Sequence, residues 1–232
     1  ASVGVGTYWL RKFRRLIPAA AVTLLGVLAT AFVAYPPMMW PELWRQTWTS
    51  LFYVQNWQLA FGQVDYYARD ESTPSPLQHF WSLSVQGQVF IIWPLIFLAV
   101  GFVVRRTRLR PVGVLAVVFG LIFAASLAFS IIETATSQSF AYFDTRTRLW
   151  EFAAGSLVAL ALPIFRAPAR ARALLGWLGV IGIVACGIVI DVRGGFPGYL
   201  ALWPVLCTAA VILAGRNPRP EDHGTAFVKA GP

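Results

Sequence analysis

Long apolar runs, separated by short polar stretches, dominate the pattern of this 232-residue chain. A helix needs about 17–25 mostly apolar residues to cross the hydrocarbon core of a bilayer. Because a backbone in lipid must satisfy its own hydrogen bonds, such runs are helical even where Val and Ile are frequent. The pattern predicts an all-α, polytopic transmembrane helix bundle with about six spans. These spans are Leu16–Ala34, Ser72–Val104, Pro111–Ile132, Leu149–Phe165, Ala173–Ile190 and Gly194–Gly215.

The segment Tyr35–Gln78, between the first two predicted spans, is the longest polar-facing stretch. Within it, Trp48–Gly62 is apolar but short, and it contains Gln55, Asn56 and Gln58. If this piece crossed the membrane, every later basic cluster would change sides. We interpret it as an interfacial or re-entrant segment that lies against the helix bundle.

Charged residues make up 12% of the chain, whereas soluble domains carry about 25%. The net charge of +9 would suggest nucleic acid if it covered one soluble face, but the cations lie on every second connection between spans. This alternation follows the positive-inside rule. We therefore expect the lipid bilayer and no nucleic acid as a partner, and both ends of the chain in the cytoplasm. The basic clusters are 11–15, 105–110, 166–172 and 216–229.

The chain divides into a transmembrane part, residues 1–215, and a cytoplasmic linker or tail, residues 216–232. A start without Met, followed quickly by a basic cluster, suggests an excerpt of a longer chain. Cys186 and Cys207 lie inside predicted spans, so no disulfide framework is expected. With two Cys and two His in the chain, no metal site is expected either.

The first candidate group is the basic run ahead of the first span. Helical spacing places Arg11, Arg14 and Arg15 on one side. One interpretation is a topology anchor that contacts anionic lipid headgroups. The alternative is a phosphate-binding site, because guanidinium groups pair with phosphate oxygens.

The second group lies where the second span begins. His79, Ser82 and Gln86, together with Gln78, recur at helical intervals and form a polar stripe. Polar groups near hydrocarbon usually face a bundle interior or a wet cavity. The structural alternative is that these side chains only hydrogen-bond to neighbouring helices.

The third group begins the fourth span. Arg148 and Glu151 are three residues apart and can pair on one helix face. A buried Glu151 needs a cationic partner or a proton. The pair is either a structural ion pair at the membrane edge or the charged lining of an outward-facing vestibule shared with His79.

Together these groups resemble membrane acyltransferase family 3, which are bacterial inner-membrane O-acyltransferases that modify surface and secreted glycans. The resemblance runs in order from Tyr8 to about Gly215. Its segments are Arg-Lys-Phe-Arg-Arg-Leu-Ile-Pro from Arg11, His-Phe-Trp-Ser-Leu-Ser-Val-Gln-Gly-Gln-Val-Phe-Ile-Ile-Trp-Pro from His79, and Thr-Arg-Leu-Trp-Glu-Phe-Ala-Ala-Gly-Ser-Leu from Thr147.

The resemblance implies a core of about ten spans in a bacterial inner membrane. It also implies cytoplasmic acyl-CoA, expected to be acetyl-CoA, as donor, and an extracytoplasmic carbohydrate or glycolipid hydroxyl as acceptor. Arg11, Arg14 and Arg15 occupy the family's basic motif, which is associated with the donor. Arg148 and Glu151 occupy the Thr-Arg-x-Trp-Glu motif, which helps to shape the site. His79 and Ser82 would line the acceptor side with them.

Two departures from the family pattern affect this reading. The usual Ser-Val-Glu-Glu-Gln-Phe-Tyr appears here as Ser-Val-Gln-Gly-Gln-Val-Phe, so that Gln86 and Gly87 replace two acidic residues. The family's first span, with the His proposed as catalytic base, and its final spans are not found in this sequence. The base is therefore expected outside this chain, His79 does not take its role, and this piece alone is expected to be inactive.

Two rival functions remain at this point. A transporter or flippase of a glycan or lipid-linked precursor often shows inverted repeats and helices broken at matching positions, and the sequence shows neither. A passive scaffold would explain the spans but gives no reason for the three motifs.

Overall fold

The computed structural model describes residues 4–66, 76–189 and 195–216, and within these ranges it contains helices and turns but no strand. Short 3₁₀ turns cover Pro37–Met39 and Tyr199–Ala201. The all-α prediction is confirmed. The helices are α1 (Val5–Ala34), α2 (Trp40–Leu51), α3 (Gln55–Tyr66), α4 (Phe80–Thr107), α5 (Pro111–Thr136), α6 (Gln138–Phe143), α7 (Leu149–Ala161), α8 (Ala169–Val189) and α9 (Leu202–Ala214).

Four of the described helices, α1, α4, α5 and α8, are long and apolar enough to cross a membrane. The fourth and sixth predicted spans instead hold shorter apolar helices, since α7 and α9 have 13 residues each. At 1.5 Å per residue, each covers only about 20 Å. Pro163 follows the end of α7, and a 3₁₀ turn replaces the first part of the sixth span.

The first two predicted spans also begin at different residues from those the hydropathy indicates. Helix α1 starts at Val5, so the basic run Arg11–Arg15 lies inside a helix and not in a loop before it. Arg and Lys are good helix formers, and their long side chains reach away from an apolar surface. Helix α4 starts at Phe80, and the predicted start at Ser72 lies outside the described residues.

Helices α2 and α3 form a hairpin that runs back along α1. At the far end of α1, Phe32 stacks on Trp40 with ring centroids 4.9 Å apart. Near its start, Phe13 contacts Tyr53 edge-on, with centroids 5.9 Å apart. The 19-residue separation of Phe13 and Phe32 corresponds to about 28 Å along the helix. The prediction that Trp48–Gly62 lies against the helix bundle is confirmed, and the packing along α1 favours the re-entrant interpretation over the interfacial one.

Helices α8 and α9 form a second hairpin, packed through glycines. A Cβ atom on Gly179 would lie 2.7 Å from the carbonyl oxygen of Cys207, and one on Gly182 would lie 2.5 Å from its Sγ. Small residues let helix backbones approach closely, as is common between helices in membranes. The opposite face of α8 exposes large apolar side chains, which suits contact with lipid. They are Trp177, Leu178, Ile181, Val184 and Ile188.

The tip of the re-entrant hairpin explains one departure from the family motif. Tyr53 has a positive φ of 59°, and its ring lies against Gly87 of α4. A Cβ atom on Gly87 would lie only 2.3 Å from Cδ1 of Tyr53. The second usual acidic position therefore cannot hold a side chain here without moving the hairpin tip.

This contact predicts that Gly87→Ala lowers the thermal unfolding temperature of the purified full-length protein, because overpacking costs about 1–3 kcal/mol. Tyr53→Gly in the same chain should restore most of the loss, since it removes the ring and relieves the positive φ. Gly120→Ala, at a helical glycine with no atom within 4 Å of the added Cβ, is the matched control. Equal effects of Gly87→Ala and Gly120→Ala would contradict the contact.

Candidate active site

Three polar side chains meet where the hairpin contacts the rest of the bundle, and we call Asn56, Gln88 and Thr145 the amide junction. Nε2 of Gln88 donates to Oδ1 of Asn56 at 2.9 Å, and Oγ1 of Thr145 donates to Oε1 of Gln88 at 2.6 Å. Nδ2 of Asn56 donates to the carbonyl of Phe143 at 3.0 Å. Nε2 of Gln88 also donates to the carbonyl of Tyr53 at 2.9 Å. Asn56 and Thr145 are buried.

The amide junction joins three parts of the chain: α3, α4 and the connection between α6 and α7. Removing the partner of a buried amide lowers the free energy of unfolding by about 1–3 kcal/mol. These hydrogen bonds therefore hold the hairpin firmly against the bundle. In the sequence, Asn56 is an amide within an apolar segment, but its pairing with Gln88 and Thr145 was not predicted. The sequence feature that points to such a pairing is an amide side chain in each of two apolar runs, which indicates polar contacts between helices.

Further hydrogen bonds pair polar groups within the hairpin. The backbone N–H of Gln55 donates to Oγ of Ser84 at 3.2 Å, and Thr49 contacts the side chains of Gln55 and Gln58. Oε1 of Glu42 accepts hydrogen bonds of 2.9 Å from Gln46 and Gln58. Many polar groups of the re-entrant segment thus pair with one another and with α4, whereas Oγ of Ser50, the hydroxyl of Tyr53 and Nε2 of Gln55 are buried without a hydrogen-bond partner among the described residues.

The expected ion pair of Arg148 and Glu151 is confirmed. Nη1 of Arg148 lies 2.9 Å from Oε1 of Glu151, and the side chains are 6% and 29% exposed. The guanidinium also donates to the carbonyl of Tyr142. It lies 5.1–5.4 Å from three ring centroids, those of Trp81, Tyr142 and Phe196. A desolvated cation–π contact is worth about 2 kcal/mol of interaction free energy. The three rings therefore hold the guanidinium of Arg148 in place.

A second ion pair, which was not predicted from the sequence, lies just before Arg148 in the chain. The carboxylate of Asp144 is fully buried and lies 2.7 Å from Nη2 of Arg146, whose side chain is 58% exposed. This hydrogen bond raises the pKa of Arg146 above its usual value, so that the guanidinium stays charged. The neighbouring Trp150 is buried, and its backbone N–H donates to Oγ of Ser126 at 2.9 Å. The turn that presents Arg148 is therefore anchored on both sides.

Glu151 also lines a cleft of about 240 Å³ between α7 and α9. The cleft is mostly apolar, and Thr208 adds a hydroxyl on the facing helix. The small residues Ala154 and Gly155 keep it open. A carboxylate held by Arg148 therefore faces a space large enough for a small group.

The structure separates the second predicted group from this pair. His79, Ser82 and Gln86 lie on the exposed side of α4, and Oγ of Ser82 donates to the carbonyl of His79 at 3.1 Å. Ser84, Gly87 and Gln88 turn inward instead, so among the described residues the stripe does not face the bundle interior, and the alternative of a wet cavity stays a prediction. Trp81, between His79 and Ser82, is the residue that reaches Arg148. The roles proposed for His79 and Ser82 stay predictions.

The basic run of α1 lies beside the middle of α4. Nε1 of Trp9 donates to the carbonyl of Phe90 at 3.0 Å, and Nζ of Lys12 lies 5.2 Å from the ring of Phe90. Phe90 is 17 residues from the end of α4 at Thr107, or about 25 Å. Arg11, Arg14 and Arg15 are exposed, and the hairpin tip at Tyr53 contacts Phe13 between them.

A family model described as an acyltransferase domain matches residues 3–229, nearly the whole chain. The chain belongs to acyltransferase family 3. The acyltransferase chain also contains no group of three His, Cys, Asp or Glu side chains suited to a metal, as far as the described residues extend.

Curated relatives of this chain are named as O-acetyltransferases, and two of the three names specify peptidoglycan. A peptidoglycan O-acetyltransferase, OatA of Listeria monocytogenes, is 31% identical over 188 residues, which cover 79% of this chain and 29% of the relative. The putative peptidoglycan O-acetyltransferase YrhL of Bacillus subtilis is 32% identical over 160 residues, 68% of this chain and 24% of the relative. O-acetyltransferase OatA of Staphylococcus aureus is 30% identical over 158 residues, 68% of this chain and 25% of the relative.

The acyltransferase chain thus spans less than a third of the length of the curated relatives it matches. No solved structure matches it.

Two ion pairs with the same three-residue spacing allow a direct test of burial. Arg148→Met should lower stability by about 2–4 kcal/mol, because it leaves Glu151 without its partner. Arg45→Met, in the exposed Arg45–Glu42 pair of 2.8 Å, should cost at most about 1 kcal/mol. Denaturant unfolding of the full-length protein measures both, and similar losses would contradict the buried role of Arg148.

A double-mutant cycle tests the amide junction. Asn56→Leu and Gln88→Leu should each destabilise the protein by about 1–3 kcal/mol, and together by clearly less than the sum, because they share a bond. Gln86→Leu, at the exposed neighbour on α4, is the control and should have little effect. Additive losses for Asn56 and Gln88 would show that the two amides do not interact.

Proposed function

We propose that this chain is part of a membrane O-acyltransferase that moves an acyl group, acetyl in the first instance, from acyl-CoA to a hydroxyl of an extracytoplasmic cell-wall carbohydrate. Family membership supports the reaction class, and the relatives named for peptidoglycan O-acetylation support the acceptor class. The observation that carries the proposal is the re-entrant hairpin. Its tip contacts the basic run of α1, and Asn56, at the start of α3, joins the tip through the amide junction to the turn that precedes Arg148.

The basic run would bind the donor. Arg11, Arg14 and Arg15 are exposed within one helical turn, and CoA carries several phosphates that guanidinium forks bind well. Because the run lies beside the middle of α4, a thioester bound there would need to travel less than a full membrane thickness. We take the side of the cation clusters to be the cytoplasm.

The acceptor would bind near the Arg148–Glu151 pair, which the amide junction joins to the hairpin tip. The guanidinium is fixed by three rings, and Glu151 faces the cleft between α7 and α9. A carboxylate held in this way can accept a hydrogen bond from a sugar hydroxyl. His79 and Ser82, exposed at the start of α4, would line the approach.

The reaction itself needs a general base. The base removes the proton of the acceptor hydroxyl, whose oxygen then attacks the acyl carbonyl, either of the CoA thioester or of an acyl-enzyme formed from it. A new C–O bond forms, the C–S bond breaks, and CoA leaves as the thiol. The residues of this chain would bind and orient the two substrates.

The reaction is tested with the purified full-length protein in proteoliposomes, with radiolabelled acetyl-CoA and a peptidoglycan fragment. We expect an ester-linked acetyl group on the carbohydrate, released by mild base. Movement of the carbohydrate across the bilayer without acylation would overturn the proposal in favour of transport.

The donor site is tested by Arg14→Ala combined with Arg15→Ala. This variant should raise the KM for acetyl-CoA at least tenfold, or about 1.4 kcal/mol, with a smaller change in kcat. The matched control is Arg105→Ala combined with Arg106→Ala, which removes two exposed cations at the other end of α4. Equal KM values for the two variants would remove the donor-site assignment.

A further inference from the structure

Helices α8 and α9 leave an open groove of about 440 Å³ at the end that carries Arg172. The groove extends from Ala169 to Val180, about 16 Å along α8. Most of its surface is apolar and formed by small side chains, so it is narrow, smooth and accessible from the side. Its floor is lined by Ala173, Gly176, Val211, Ala214 and Gly215.

The head of this groove is cationic. Arg172 lines it and Arg216 lies beside Arg172, and the sequence has no Asp or Glu between Glu151 and Asp191 or within 195–216. In the described part of the chain, these two groove arginines donate to main-chain carbonyls. Nη1 of Arg172 donates to the carbonyl of Arg216, and Nη2 of Arg216 donates to that of Pro163 at 2.9 Å.

Backbone carbonyls orient these guanidinium groups but do not neutralise their charge. In addition, Nε of Arg172 is buried and has no hydrogen-bond partner among the described residues. A buried donor without a partner is unfavourable, and an anion at the groove head would offset this. Of these two arginines, Arg172 is therefore the better suited to bind a phosphate.

We propose that this groove binds an anionic phospholipid, with the phosphate at Arg172 and one acyl chain along Gly176 and Val180. Basic pockets between transmembrane helices bind anionic headgroups, and an exposed Trp such as Trp177 is typical of the membrane boundary. A free phosphate would use the groove head but not the apolar floor. CoA, with its polar pantetheine arm, does not match that floor either.

The test is native mass spectrometry of the full-length protein, delipidated in detergent and titrated with phosphatidylglycerol or phosphatidylcholine. We expect the wild type to bind phosphatidylglycerol more tightly. Arg172→Gln should weaken phosphatidylglycerol binding about fivefold and leave phosphatidylcholine binding unchanged. Arg170→Gln is the matched control, because it removes an exposed cation two residues away that does not line the groove.

A second variant tests the acyl-chain part without changing the charge. Ala173→Leu fills the groove floor and should weaken phosphatidylglycerol binding while Arg172 stays in place. If thermal unfolding shows that Arg172→Gln does not fold, the Ala173→Leu variant alone decides the test. Equal affinity of the wild type for the two lipids would overturn the proposal. So would identical effects of Arg172→Gln and Arg170→Gln, or displacement of phosphatidylglycerol by equimolar CoA or inorganic phosphate.

Discussion

Hydrogen bonds among Asn56, Gln88 and Thr145 hold the re-entrant hairpin in the bundle, and the positions of the other site residues follow from them. Lipid offers no competing hydrogen bonds, so a polar segment can enter the membrane only where protein groups pair with it. The hairpin meets this condition with contacts inside α2 and α3 and with the amide junction to α4 and the α6–α7 connection. A hairpin lying at the membrane surface would leave Gln88 and Thr145 to find other partners.

This constraint links the two regions of the candidate site. At its tip, Tyr53 touches Phe13 and fills the space beside Gly87, so the basic run of α1 lies against the hairpin. Three residues further along, at the start of α3, Asn56 donates to the carbonyl of Phe143, close to the turn that presents Arg148. One polar element therefore connects the cations suited to a donor with the ion pair suited to an acceptor. A transfer enzyme that works across a membrane needs this kind of connection.

The sequence predicts the parts that depend on local physics. Runs of about 20 apolar residues give the four long helices, and a three-residue spacing gives the Arg148–Glu151 pair. It does not predict pairings between distant residues, such as Asn56 with Thr145, because an amide in an apolar run does not indicate its partner. Nor does the sequence show which surroundings the stripe of His79 and Ser82 has, because polar groups near hydrocarbon face either a bundle interior or a wet cavity. The packing of Tyr53 on Gly87 instead turns the opposite face of α4 inward.

The central claim is that the hairpin enters the bundle as far as the basic run. Spin labels at Phe13→Cys and Tyr53→Cys, in full-length protein with Cys186 and Cys207 replaced by Ala and reconstituted in lipid, measure this by electron–electron double resonance. The account predicts a distance below about 20 Å, since the two rings are in contact, whereas a label pair at Phe13 and Trp40 would be about 28 Å apart or more. A Phe13–Tyr53 distance as long as that of Phe13–Trp40 would contradict it.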